Sequence, residues 1–382
     1  MISRRDALGC IGALAAAACS AGRTPASPPP APAPESRLAL DPLVNLVPAA
    51  GLKWLVDLRP PELLSSAAVG SGVDLVVPGS HFDAFAQHHG GVDLRRASEV
   101  AVAGFADVTL SLVRATVDPA RVEKAFSDRA GGVEGRAIEP GIVRFWGTVG
   151  PARQQMAVFG HKAVALEQGQ FGPLRVATYF AQGKLRRSPQ ALRADPLAGA
   201  AERLGDAPAR AFARGPFTGP WAKGLGGLLA AATAGAASAR PVRTARGDEG
   251  LKLTVLVLGA WGDDSAQALA RLGAAFNVLA QDPLGRLCGL DRPLEGPHVV
   301  GDATEVRLEV TVDPTLLARG IRDATGGTAA DIVASLSAPP LAPTGAGATM
   351  DNSIGVGAPI DHSSGAGAPM DISDDSKRNS PK

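Results

Sequence analysis

Cysteine is scarce. Only three occur in 382 residues, and two of them, Cys10 and Cys19, sit near the N-terminus. Cys288 is alone in the rest of the chain, so no disulfide framework can hold the fold. Stability must come from burial, which a chain of this length can supply. Aromatic residues make up 4%, with a single tyrosine. That argues against a sugar-binding groove, which stacks its ligand on aromatic faces. Charge of one sign is also missing. The formal net charge is +1, without the basic excess of a nucleic-acid binder, so no nucleic-acid partner is expected. Long hydrophobic runs are absent as well. Ala7–Ala18 and Gly224–Ala239 are free of charge, but both are too short to span a bilayer as helices. The familiar catalytic and phosphate-binding patterns do not occur: there is no Gly-x-Ser-x-Gly, no Ser-x-x-Lys and no Gly-x-x-x-x-Gly-Lys. No cofactor is expected. Catalytic groups can still converge from distant positions, so an enzyme is disfavoured rather than excluded.

What is present begins at the N-terminus. Arg4 and Arg5 precede the apolar run Ala7–Ala18, and Ala16, Ala17 and Ala18 lead into Cys19. This resembles a bacterial lipoprotein signal, with Ala16 where that signal commonly has Leu. The resemblance implies removal of residues 1–18, lipid on Cys19 and a membrane partner through that lipid. The usual bacterial form carries three acyl chains, enough for stable attachment. The alternative is plain secretion, with cleavage near Ala18 and an unmodified Cys19. "SRRDAL" (Ser3–Leu8) also resembles a twin-arginine export signal, although two arginines suit general secretion too. Cys10 lies inside the apolar run and reads as a small apolar residue. Residues 19–37 are Pro-rich, the composition of a semi-rigid spacer.

The body, 38–336, reads as α+β with mainly antiparallel sheets. Alternating or continuous apolar stretches predict strands over Leu52–Leu58, Glu99–Phe105, Asp107–Ala115, Gly141–Val149, Gln154–Gly160, Lys162–Gln168, Leu174–Gln182, Ala209–Gly215, Gly250–Trp261 and Thr304–Val312. Asp118-Pro119, Asp313-Pro314 and Asp263-Asp264 mark helix starts. Gly224–Ala239 reads as a helix packed under a sheet. "TVDPARVEKAFSDRAGG" (Thr116–Gly132) returns as "TVDPTLLARGIRDATGG" (Thr311–Gly327), 195 residues later and without a gap. This predicts duplicated strand–helix units and two related lobes, 38–200 and 201–336. The layout resembles uncharacterised bacterial envelope proteins with paired α+β repeats, and that resemblance brings no activity with it.

"SHFDAFAQHHGG" holds three of the six histidines. His81, His88 and His89 are weak metal candidates, because His81 and His88 stand two helical turns apart, about 10 Å. Ser80 and Asp83 resemble a helix start and Gly90-Gly91 its end. Cys288, between apolar residues, reads as a structural thiol. Lys184, Arg186, Arg187 and Arg193 read as a solvated face. Residues 337–382 are low in complexity, with three decapeptide copies starting at Gly345, Gly355 and Gly365. They are faintly like calcium-binding repeats and read as a flexible extension. The function expected from all this is a lipid-anchored cell-envelope protein with a non-catalytic protein-binding or structural role. The alternative is a periplasmic small-ligand-binding lipoprotein with its site between the lobes, and an envelope enzyme ranks last.

Overall fold

The computed structural model describes residues 38–170, 172–185 and 187–325. The first stretch holds β1 (Trp54–Leu58), α1 (Pro60–Leu64), α2 (Ala67–Val76), α3 (Gly79–His88), β2 (Glu99–Gly104), β3 (Val108–Arg114) and α4 (Pro119–Ala130). Then come β4 (Gly135–Glu139), β5 (Ile142–Val149), β6 (Ala152–Phe159), β7 (Ala163–Gly169), α5 (Pro173–Ala181), α6 (Leu197–Leu204) and β8 (Ala209–Arg214). The remainder is β9 (Ala232–Arg243), β10 (Glu249–Gly259), α7 (Ser265–Gln281), α8 (Pro283–Leu287), β11 (Glu295–Gly301), β12 (Glu305–Val312) and α9 (Pro314–Thr325).

The architecture is α+β. The twelve strands form one antiparallel sheet in the order β11-β12-β10-β9-β8-β1-β2-β3-β7-β6-β5-β4. Strand alternation gives the sheet two faces. On the first, Leu55, Ala101, Leu112, Ala165, Phe212 and Leu256 form one core under α5 and α6. On the second there are two cores. Val122, Phe126, Phe145 and Met156 pack beneath α4 in one, and Leu272, Val306, Leu308 and Val310 beneath α7 in the other. Among the described residues no helix is long and apolar enough to cross a membrane.

Two predicted elements are of the other type. Leu174–Gln182 is not a strand but lies in helix α5. Pro173 fits the first helical position, and Leu174, Ala177, Thr178 and Ala181 are buried at helical spacing. The start is secured from outside: the Glu167 carboxylate on β7 accepts from the Gly172 and Leu174 amides, both at 3.1 Å. Gly224–Ala239 is not one helix, and only a short 3-10 stretch ending at Ala231 remains helical. Gly224 to Gly227 leave helical geometry, with Gly226 and Gly227 at φ +67° and +83°, and the chain is extended from Ala232 as β9. There β8 and β10 pair with it on both sides, which overrides the helix preference of alanine. Sequence patterning missed β4 and β11 as well as β9.

The strand–helix repeat has matching helix starts. Asp118 accepts from the Ala120 amide at 3.0 Å, and Asp313 from the Thr315 amide at 2.7 Å. The surroundings differ. β3 lies between β2 and β7, whereas β12 lies between β10 and β11. Phe126 is fully buried while its counterpart Ile321 is 38% exposed. Helix α6 runs across residue 200, and β1 pairs with β8 from Trp54↔Ala213 to Leu58↔Ala209.

Candidate functional site

A row of polar side chains crosses the sheet at the β1·β8 seam. On its first face Asp57, Arg210, Ser238, Thr254 and Glu309 stand directly opposite one another across β1, β8, β9, β10 and β12. Arg210 binds Asp57 Oδ2 through Nε at 3.2 Å and Nη2 at 2.5 Å. Asp57 is buried, and its Oδ1 has no partner. One rank further on, Arg240 stands opposite Lys252. Like charges facing each other across a strand pair are unfavourable unless something answers them. Here Lys252 pairs with Glu309 at 2.8 Å, and Arg240 donates to the Asp206 carbonyl. Arg59 reaches Asp206 at 2.9 Å and Glu62 at 3.2 Å. That hydrogen bond from Arg59 holds Asp206 below the usual carboxylate range, with Arg210 and Arg240 adding to the effect.

Two cavities flank the row. One, of about 580 Å³, is lined by Arg59, Pro61, Glu62, Asp206, Arg240 and Pro241, among others. A smaller one of about 170 Å³ is lined by Asp206, Ser238, Arg240, Lys252, Thr254 and Glu309, among others. Both share Asp206 and Arg240. Chemically the row offers paired cations and carboxylates with two hydroxyls. It could orient a small charged group.

The histidines belong elsewhere, on and beside α3. His88 is exposed. His89 is buried and stacks on Phe85 with ring centroids 4.1 Å apart. Burial first, then Arg129 and His88, drives its imidazole down to about 3. The His81 Nδ1 is buried without a partner, and Asp83 is engaged by Arg95 at 2.5 Å. Helix α3 starts after Pro78, with no side-chain cap from Ser80 or Asp83, and the chain turns at Gly90 with φ +70°. Among the described residues no group of three His, Cys, Asp or Glu side chains could hold a metal.

Two further charged groups lie in the first half of the fold, half-buried Arg129 on α4 and fully buried Glu167 on β7. Arg129 has its Nε buried without a partner and its guanidinium 5.7 Å above the Phe126 ring, and burial pulls it below the usual arginine value. Glu167 is fully buried. Its Oε2 has no partner, and burial raises its carboxyl above the ordinary value.

Cys288 is a buried free thiol, raised by burial. It sits against Gly320 of α9, where a side chain would collide with the Cys288 backbone and sulfur. That contact is structural. Asp264 makes no capping hydrogen bond, and α7 is instead preceded by a short 3-10 turn, Gly262–Asp264. Cys10, Cys19, Arg186, the Pro-rich stretch and the decapeptide copies lie outside the described residues. Sequence reasoning missed the Asp57–Arg210 pair, whose members are 153 residues apart and carry no local motif. Compared with protein-family models, curated proteins and solved structures, the chain matches none.

Proposed function

We propose that this chain is a lipid-anchored cell-envelope protein whose body serves a non-catalytic protein-binding or structural role. One observation carries the reading: Cys19 follows an uncharged run behind Arg4 and Arg5 and is followed by a Pro-rich stretch up to the body. A lipid on Cys19 would fix the chain to a membrane, and the Pro-rich stretch would hold the body off it. The seam supports the non-catalytic part. Its charges answer one another as Arg210–Asp57, Arg59–Asp206 and Lys252–Glu309, which is the chemistry of a braced join.

We also infer that the body consists of two related lobes joined at β1·β8. The strand order supports a register other than the 195-residue offset. In each half a strand pairs with the next, a hairpin partner follows, then a helix, and the last strand returns beside the third. β7 thus sits beside β3, and β12 beside β10. α4 then corresponds to α7, both over the second face.

The anchor is tested by fractionation of Cys19→Ala. Loss of membrane association is expected, and unchanged association contradicts the anchor. A second reading, a ligand-binding lipoprotein, is favoured by Arg240 facing Lys252 in the smaller cavity. The larger cavity is in the size range of ligand pockets, but its lining is prolines and mutually paired charges rather than the apolar wall such pockets have. Thermal-shift measurements with small carboxylates and inorganic phosphate separate the readings. A saturable shift lost in Arg240→Ala supports the ligand reading, and no shift supports the structural one.

A further inference from the structure

The end of α7 and the short helix α8 carry four large apolar side chains that the rest of the described chain leaves bare. Val278 is 72% exposed, and Leu279, Leu284 and Leu287 lie between 42% and 51%. The two helices pack together: Gly285 of α8 sits so close to the Leu279 carbonyl that a side chain there would collide with it. A cluster of exposed apolar side chains marks a surface that something covers. Helix α9 packs beside α8, with Gly320 against Cys288, the residue that follows Leu287. It ends at Thr325, so the chain leaves the described residues about one and a half helical turns past this contact.

The sequence that follows suits the patch. Gly326-Gly327 match Gly131-Gly132 in the earlier copy of the repeat. There Gly131 is left-handed at φ +65° and the Gly132 amide bonds the Ser127 carbonyl, which ends α4 and turns the chain. Thr328 and Asp331 have the spacing of a helix start before an apolar run. In a helix over 328–336, Ala329, Ile332, Val333 and Leu336 share one face about 100° wide, with Thr328, Asp331 and Ser335 off it. Pro339 and Pro340 stop the pattern, and beyond them the large apolar residues stand singly among Gly, Pro and Ser.

We propose that residues 328–336 fold back as a helix whose apolar face covers Val278, Leu279, Leu284 and Leu287. Three observations select this segment over a separate molecule. It starts within a few residues of the α8–α9 contact, it follows a Gly-Gly pair that can turn the chain, and it is the last stretch of the sequence with an apolar face. So short a tether holds it at high effective concentration over the patch. This inference depends neither on the lipid anchor nor on the seam.

The test uses the full chain with Cys10→Ser and Cys19→Ser. It reads the rate at which one introduced cysteine reacts with a water-soluble maleimide, followed on the labelled peptide. Val278→Cys should react at least about ten-fold more slowly than the same cysteine in a chain that also carries Ile332→Asp and Leu336→Asp. In the reverse direction, Leu336→Cys should react at least about ten-fold faster once Leu284→Lys and Leu287→Lys are added. All these changes fall on exposed side chains or outside the described residues, so the body stays folded. Equal rates in either comparison overturn the proposal, and a patch left open to a membrane or another protein would give them. Protection of Val278→Cys that rises with protein concentration also overturns it, in favour of a second copy.

Discussion

The seam and the first-half interior both bury charge, but they treat it in opposite ways. At the seam Arg210 and Asp57 share a two-point contact, and Arg59, Asp206, Lys252 and Glu309 are all in ion pairs. In the first half Glu167 accepts from two backbone amides rather than a cation, with Oε2 left over as Asp57 Oδ1 is at the seam, and burial shifts Glu167 and His89 toward their neutral forms. The difference separates two kinds of dependence. A paired interior charge depends on its partner's presence, so mutation exposes it. An unpaired one depends on protonation, so pH exposes it.

The largest effect should come from breaking the seam pair. Asp57→Ala leaves Arg210 without its carboxylate, and losing one partner of a buried pair costs about 3–5 kcal/mol. Replacing both, as Asp57→Leu with Arg210→Met, should recover most of that loss in denaturant unfolding. If the single and double variants are equally destabilised, the pair is not what holds the seam.

Next comes the pH dependence of His89. Its folded value of about 3 lies below the ordinary histidine value of 6.5. Between those values the unfolded chain binds the extra proton. Stability is therefore fully present above about pH 6.5 and falls toward pH 3, by up to about 1.4 kcal/mol per pH unit. Glu167 works in the opposite sense. Its raised carboxyl favours the folded state at low pH and loses that contribution as pH rises through its folded value. His89→Phe removes only the histidine part and should flatten the acid limb of the unfolding curve. An unchanged limb contradicts the buried neutral imidazole.

The smallest effect is expected at the exposed end of the seam row. Lys252 and Glu309 are 40% and 27% exposed, so Lys252→Ala should change stability by less than about 1 kcal/mol. A cost like that of Asp57→Ala would remove the distinction between buried and exposed ends of the row.

Much of the sheet was legible because alternation is local. β3, β10 and β12 show it directly in Val108–Arg114, Glu249–Gly259 and Glu305–Val312. Asp118-Pro119 and Asp313-Pro314 announced α4 and α9 for an equally local reason. α5 was misread because Val176, Thr178, Tyr179 and Phe180 favour a strand, while the feature that decides for helix, Glu167, stands on another element. β9 was misread because Ala232–Ala239 has almost no contrast between its two faces, and only its neighbours make it a strand. The seam row had no sequence signature at all. Its members come from five strands, and Asp57 joins the others only when β1 pairs with β8.

The proposed lipid anchor rests on Cys19. Its most direct test is the mass of the N-terminal peptide of the mature protein purified from membranes. The account predicts a peptide beginning at Cys19 and carrying lipid mass on that residue, unchanged in Cys10→Ser. A peptide beginning at an unmodified Cys19, or one still carrying residues of Ala7–Ala18, would contradict it.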